Sequence, residues 1–267
     1  MLTRIVVLVK QVVDSEATPS AFRVDQSGLR VIPGPGVAQI VNAFDDNAVE
    51  AALQIKEALG DARVTVLSAG DSFAMDVIKK PLAMGADELV LLQDGALGDG
   101  IDPTLTVEAL GAAIRKLGGA DLVLAGRQAS DWDHAQIPLG VAEVLGLPSI
   151  TLARRVEVAN GEVVVERVLA DAYEVVTMQL PAVVTVSSEL GQPRYPNLRG
   201  IMAAGRKQPT VWSLADIGIV PSEVVSAFEL VGLAQPELTT VVTIVTGADD
   251  AEAGRNLALR LREARLI

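Results

Sequence analysis

RVTVLSAGDSFAMDVIKKPLAMGADELVLLQ, residues 63–93, decides the fold. Arg63 to Ser68 and Glu88 to Gln93 are short apolar runs rich in valine and leucine, the pattern of strands buried on both faces of a parallel sheet. Ser72 to Met84, between them, is expected to be helical, with Pro81 breaking or kinking its last turn. Upstream, Ile5 to Val9 repeats the strand pattern. After a Gly/Pro-rich passage at Pro33 to Gly36, Asp45 to Leu59 places Val49, Ala52, Leu53, Ile55 and Leu59 on one helical face, with Asp45 or Asp46 as cap and Gly60 as stop. Downstream, helices over Thr104 to Leu117 and Ala135 to Leu145 flank a strand at Asp121 to Ala125. This alternation predicts the α/β class, a mostly parallel sheet flanked by helices. Ligands of such sheets sit outside the carboxyl ends of the strands, which puts Lys10, Ala69 and Gly126 on one edge.

From Ser149 the rhythm changes. Arg154 to Ala159 and Glu162 to Leu169 alternate and are joined by Asn160-Gly161, a tight-turn signal. Tyr173 to Gln179 and Ala182 to Val186 follow, and the four strands are expected to form an antiparallel extension of the sheet. The polar segment after Ser188 shows no periodicity and is long for a connector, which marks it as functional or disordered. Thr239 to Thr246 reads as a strand, and Asp249 to Ile267 as a helix with basic last turns, together an arm that packs on a partner.

The chain has 267 residues, half of them apolar, and a formal charge of -12. An acidic chain lacks the basic face that nucleic acid or an anionic membrane requires. No cysteine is present, which excludes thiolate nucleophiles, thiolate zinc sites and cysteine-held clusters, and a single histidine, His134, weakens any histidine-rich metal site. MLTRIVVLVKQVVD reads as a first strand and not a signal peptide, and no apolar run approaches the roughly 20 residues of a membrane helix, so the expected location is cytoplasmic. A serine hydrolase triad of the usual order is excluded, since no GxSxG elbow and no late histidine occur.

The densest polar constellation is GRQASDWDHAQ, Gly126 to Gln136, between a buried strand and a helix. Backbone N–H groups at such a helix start can receive a phosphate, while Gln128, Ser130, Asp131, Asp133 and Gln136 can meet ribose hydroxyls or a base edge. Equally, Asp131 or Asp133 can simply cap the helix. With no GxxxxGK[ST] motif, the two aspartates do not make a magnesium site.

LPAVVTVSSELGQPRYPNLRGIMAAGRK, Leu180 to Lys207, resembles the signature of the electron-transfer flavoprotein β (small) subunit: a strand, PRY, a spacer, a leucine, then I-M-x-A. VLVKQVVD at 7–14, NAFDDNAVEAAL at 42–53, LAMGAD at 82–87 and DLVLAGRQASDWDHAQ at 121–136 extend the likeness over nearly the whole chain. The resemblance implies a Rossmann-like adenine-nucleotide-binding fold over 1–188, a partner-recognition loop over 189–210, and a C-terminal segment over 211–267 that packs on an α subunit. It implies an electron carrier, not an enzyme, with the redox FAD mainly on the α subunit and AMP in the β subunit. Carried onto this chain, the cofactor contacts are Leu8, Asn42, Ala43, Phe44, Asp45, Ala69, Gly126, Arg127, Gln128, Ala129, Ser130, Asp131, Trp132, Asp133, His134, Ala135, Gln136 and Ile137. Partner docking falls to Pro193, Arg194, Tyr195, Leu198, Ile201 and Met202, with Leu198 as the anchor in a pocket of a dehydrogenase.

The partners so implied are the α subunit, flavin dehydrogenases such as acyl-CoA dehydrogenases, and a quinone oxidoreductase or ferredoxin-type acceptor. Two-flavin members carry a second FAD in place of AMP and split electron pairs; their loop commonly reads DGDTAQ, where this chain has Trp132 and His134 for the glycine and threonine. Ser15 stands where many AMP-type members have a tyrosine near the shared flavin, leaving Phe44 as the flavin-facing aromatic. AMP and a second FAD both remain open, as does a different class, a stand-alone nucleotide-binding regulatory protein.

Overall fold

A strand whose successive side chains are all apolar must be covered on both faces, and β1 (Arg4–Leu8) meets that requirement by splitting its residues between two cores. Ile5 and Val7 join one cluster and Val6 and Leu8 the other. The computed structural model describes residues 3–14, 16–25, 29–98, 102–226, 229–235 and 242–267, so Ser15 lies outside the described residues. It divides into two units, Met1–Leu233 and Ala234–Ile267.

In the first unit β1 is followed by β2 (Gln11–Val13), the hairpin β3 (Phe22–Asp25) and β4 (Arg30–Pro33), β5 (Gln39–Val41) and α1 (Ala43–Leu59). Next come β6 (Arg63–Gly70), α2 (Met75–Ile78), α3 (Lys80–Met84), β7 (Glu88–Gln93), α4 (Thr104–Lys116), β8 (Leu122–Gly126) and α5 (Ile137–Leu145). The unit closes with β9 (Ser149–Ala159), β10 (Glu162–Val168), β11 (Tyr173–Gln179), β12 (Ala182–Val186), α6 (Leu198–Arg206) and β13 (Thr210–Trp212).

Nine strands form one sheet in the order β11-β10-β9-β12-β8-β1-β6-β7-β13. The segment from β12 to β13 is parallel, and β9 also pairs parallel with β12, while β10 and β11 run antiparallel. The expected α/β class, with an antiparallel extension, is therefore what the chain adopts. α1 packs on one face with α2 and α3; α4 and α5 cover the other.

Three local expectations are corrected. Ser72 to Met84 is not one helix: α2 stops at Lys79, and Pro81 falls in the first turn of α3, where a residue without an N–H costs nothing. Pro81 thus starts a helix instead of kinking one. The last strand of the supposed antiparallel extension, β12, is a central parallel strand between β8 and β9, and all five of its residues are buried. Its unbroken AVVTV run is the signature of two covered faces, unlike the alternation of β10. Finally, the polar segment after Ser188 contains the helix α6, whose apolar residues at 198, 201 and 202 follow helical spacing but face solvent.

The Asn160-Gly161 turn is as expected, with both residues at positive φ, 54° and 80°. In the second unit α7 (Asp250–Glu263) begins with a reciprocal cap: Asp249 accepts from the Glu252 N–H at 2.7 Å, and Glu252 accepts from the Ala248 N–H at 2.6 Å. Of the strand expected over Thr239 to Thr246, residues 239–241 lie outside the described residues and 242–246 join no ladder.

Candidate functional site

The carboxyl ends of β1 and β8 meet the start of α1, and the contact is made by one buried acid. Asp45, in the first turn of α1, accepts the backbone N–H of Lys10 at 2.7 Å and of Gly126 at 2.9 Å. It therefore does not cap its own helix, and neither does Asp46; the N-cap position belongs to Asn42. Burial pushes the Asp45 carboxyl up to about 7, against the bonds from Lys10, Asn42 and Gly126, which pull it down. Asp46 is also raised by burial, partly offset by Lys80 at 2.6 Å.

Gly126 is obligatory at this junction. A Cβ there would lie 2.5 Å from Asp45 Oδ1 and 2.6 Å from the Phe44 Cβ. Asn42, fully buried, holds the next stretch of loop from both ends of its amide: Nδ2 donates to the Gln128 carbonyl at 2.8 Å and Oδ1 accepts from the Ser130 N–H at 3.2 Å. Lys10 Nζ pairs with Asp131 at 2.5 Å, and Gln128 Nε2 donates to Asp133 at 2.7 Å.

These bonds decide the capping question. Asp131 and Asp133 are spent on Lys10 and Gln128, and no side chain caps α5, whose N-cap residue is Gln136. The start of α5 at Ile137 therefore has no side-chain cap, and Pro138 in its first turn has no N–H to satisfy. Asp133 and Ala135 are left-handed, at φ 53° and 54°, and Trp132 is not, so its bulk imposes no backbone strain. The Trp132 and His134 rings lie 6.1 Å apart.

Leu8 is buried at the end of β1, Ala43 and Phe44 open α1, and Ala69 lies near the end of β6. The Arg127 guanidinium lies over the Phe44 ring at 4.6 Å. Ala129 accepts the Asp133 N–H, which closes the loop on itself. Three buried polar atoms at this edge have no hydrogen-bond partner among the described residues: Ser68 Oγ, Arg127 Nε and Ser130 Oγ. Ser68 was not foreseen; its only sequence signal is a hydroxyl interrupting the apolar run of β6. Among the described residues no cluster of His, Asp and Glu suits a metal ion, and no helix is long and apolar enough to cross a membrane.

The second group of expected residues lies elsewhere, on the segment that ends in α6. Arg194 does not face outward: its guanidinium bonds Glu50 at 2.8 and 3.0 Å and also Glu57, and its N–H donates to Glu50 at 3.0 Å. Burial raises Glu50, but the bonds from Arg194 more than reverse this and leave it below the usual carboxylate range. Asn47 donates to the Gly191 carbonyl at 2.7 Å, and Lys207 to the Asp87 carbonyl at 2.8 Å. Gly200 lies directly on the Ala83 carbonyl, where a Cβ has no room. Pro193 is half-buried, whereas Tyr195, Leu198, Ile201 and Met202 are exposed, Leu198 by 74%.

The fold defines the class: an open α/β protein with its polar loop at the strand carboxyl edge. The electron transfer flavoprotein domain matches residues 35–217. The chain is 36% identical to the caffeyl-CoA reductase-Etf complex subunit CarD of Acetobacterium woodii, over 99% of this chain and 100% of that one. It is 37% identical to the electron transfer flavoprotein subunit beta of Thermoanaerobacterium thermosaccharolyticum, over 98% and 99%. To the corresponding subunit of Megasphaera elsdenii it is 41% identical over 76% of each chain. The chain belongs to the electron transfer flavoprotein family, as a β subunit. It is thus an electron carrier subunit and not an enzyme, associated with a flavin and, as β implies, with an α partner.

Proposed function

We propose that this subunit forms a heterodimer in the cytoplasm that takes electrons from flavin dehydrogenases, acyl-CoA dehydrogenases among them, and passes them to a quinone oxidoreductase or ferredoxin-type acceptor. FAD, held mainly by the α subunit, supplies the redox chemistry. AMP occupies the carboxyl edge of this chain, at the residues from Leu8, Asn42 to Asp45, Ala69 and Gly126 to Ile137. The observation that carries the nucleotide assignment is the set of unpartnered buried atoms, Ser68 Oγ, Arg127 Nε and Ser130 Oγ, beside an uncapped helix start. Two hydroxyls and a guanidinium N–H suit the phosphate and ribose of an adenine nucleotide, because buried donors without partners are costly.

The chain's own part is positional. Asn42 and Asp45 fix the loop before any ligand arrives, so little ordering entropy is left for binding to supply. Residues 193–202 form the docking element, and residues 211–267 pack on the α subunit.

A second reading, FAD in place of AMP within an electron-bifurcating complex, is favoured by the full-length likeness to CarD, a protein named as a subunit of a reductase complex. Nucleotide released from the purified heterodimer distinguishes them: one FAD and one AMP are expected, two FAD establish the second reading, and no adenine nucleotide overturns both. A stable monomer without a flavin partner would return the chain to the stand-alone regulatory class.

A further inference from the structure

In an acidic chain the segment around α6 is an exception. No Asp or Glu occurs between Glu189 and Asp216, although the chain carries 34 acids, while Arg194, Arg199, Arg206 and Lys207 all fall there. Two of these cations are consumed internally, Arg194 by Glu50 and Glu57 and Lys207 by backbone carbonyls. Arg199 and Arg206 are exposed and, among the described residues, make no ion pair. Their seven-residue spacing places both on the face that carries Met202 and Ala203, and the five residues Leu198, Arg199, Met202, Ala203 and Arg206 line one shallow depression.

The surface is therefore an apolar strip bordered by two free guanidinium groups, held rigidly by the Gly200 contact with Ala83 and by the Arg194 clamp. Two positive charges are too few for nucleic acid or an anionic membrane, and the net charge of -12 repels both. They suit a protein pocket. We infer that Arg199 and Arg206 are the steering charges of the docking face, and that its partner is a dehydrogenase surface with carboxylates rimming an apolar pocket. The inference rests on the docking reading above and adds to it the chemistry of the partner. An otherwise acidic carrier repels an acidic partner everywhere except at this strip, so the guanidinium pair selects the one productive orientation as well as speeding encounter.

The test uses the purified heterodimer and the flavin dehydrogenase from the same cells that reduces it, with the bimolecular reduction rate followed by stopped flow across a salt series. For the native carrier the rate is expected to fall as salt rises. Arg199→Gln combined with Arg206→Gln is expected to lower the low-salt rate about tenfold and to flatten the salt dependence. Leu198→Ala should lower the rate at every salt concentration and keep the native slope. A double variant with native rate and slope overturns the steering assignment while a weakened Leu198→Ala still upholds docking. If Leu198→Ala also has no effect, the docking reading itself fails. Salt-sensitive self-association of the heterodimer, lost in the double variant, would assign the strip to a second copy and overturn the inference as well.

Discussion

Asp45 Oδ1 accepts the N–H of Gly126 at 2.9 Å, and the same oxygen would stand only 2.5 Å from a Cβ placed on that glycine. Helix α1 and strand β8 therefore approach as closely as backbone and carboxylate permit. Gly126→Ala is expected to destabilise the chain by about 1–3 kcal/mol, since a well-packed junction must open to admit the methyl group. Its φ is not left-handed, so the cost is steric alone. Urea unfolding measures it, and a variant within about 0.5 kcal/mol of the native chain would contradict the packing argument.

Asp45 makes stability depend on pH. Its ordinary value is 3.8 and burial lifts it to about 7. Below the lower value both states hold the proton; between the two only the folded state does. Rising pH through this window therefore removes stability, and above about 7 the loss is complete. Asp45→Asn lacks this dependence but leaves an amide N–H group facing a backbone donor, so it is weaker overall. The stability difference, native minus variant, should shrink by about 2–4 kcal/mol between about pH 5 and about pH 8. A difference constant with pH would remove the assignment of a buried, proton-binding Asp45.

Arg194 holds the docking segment to α1 through a carboxylate only 8% exposed on Glu50 and a more open one on Glu57. Arg194→Gln leaves the Glu50 charge without its fork and is expected to cost about 1–3 kcal/mol. The specific consequence is local: tryptic cleavage after Arg199 and Arg206 should accelerate several-fold while bound nucleotide is retained. Arg194→Lys should recover part of the protection. Unchanged cleavage kinetics would show that Gly200 and Lys207 suffice to hold α6.

The strands were legible because β1, β6, β7 and β8 are dominated by valine and leucine without a polar–apolar alternation, and a strand with no polar side must be covered on both faces. The same logic applied to AVVTV at 182–186 would have placed β12 in the centre; proximity to the alternating hairpin strands obscured it. α6 was not legible, because its apolar face does not enter the core and its only buried residue is Ala204. Within the site, loop 126–137 stood out by polarity, but the division of labour did not. Sequence ranks Asp45, Asp131 and Asp133 alike as caps, and only three-dimensional pairing sends each to a different partner.

The central position of β12 bears on how the chain is made. Residues 149–179 leave the ribosome before the strand that joins them to the sheet, so β9, β10 and β11 can pair with one another while β8 still presents an open edge. Only when Ala182 to Val186 emerge are both edges closed in one step, Val183 meeting Val123 on one side and Ser149 on the other. A nascent chain stalled just short of this point leaves the β8 and β9 edges open, and the β7 edge too until Thr210 to Trp212 emerge, which exposes it to pairing with other chains.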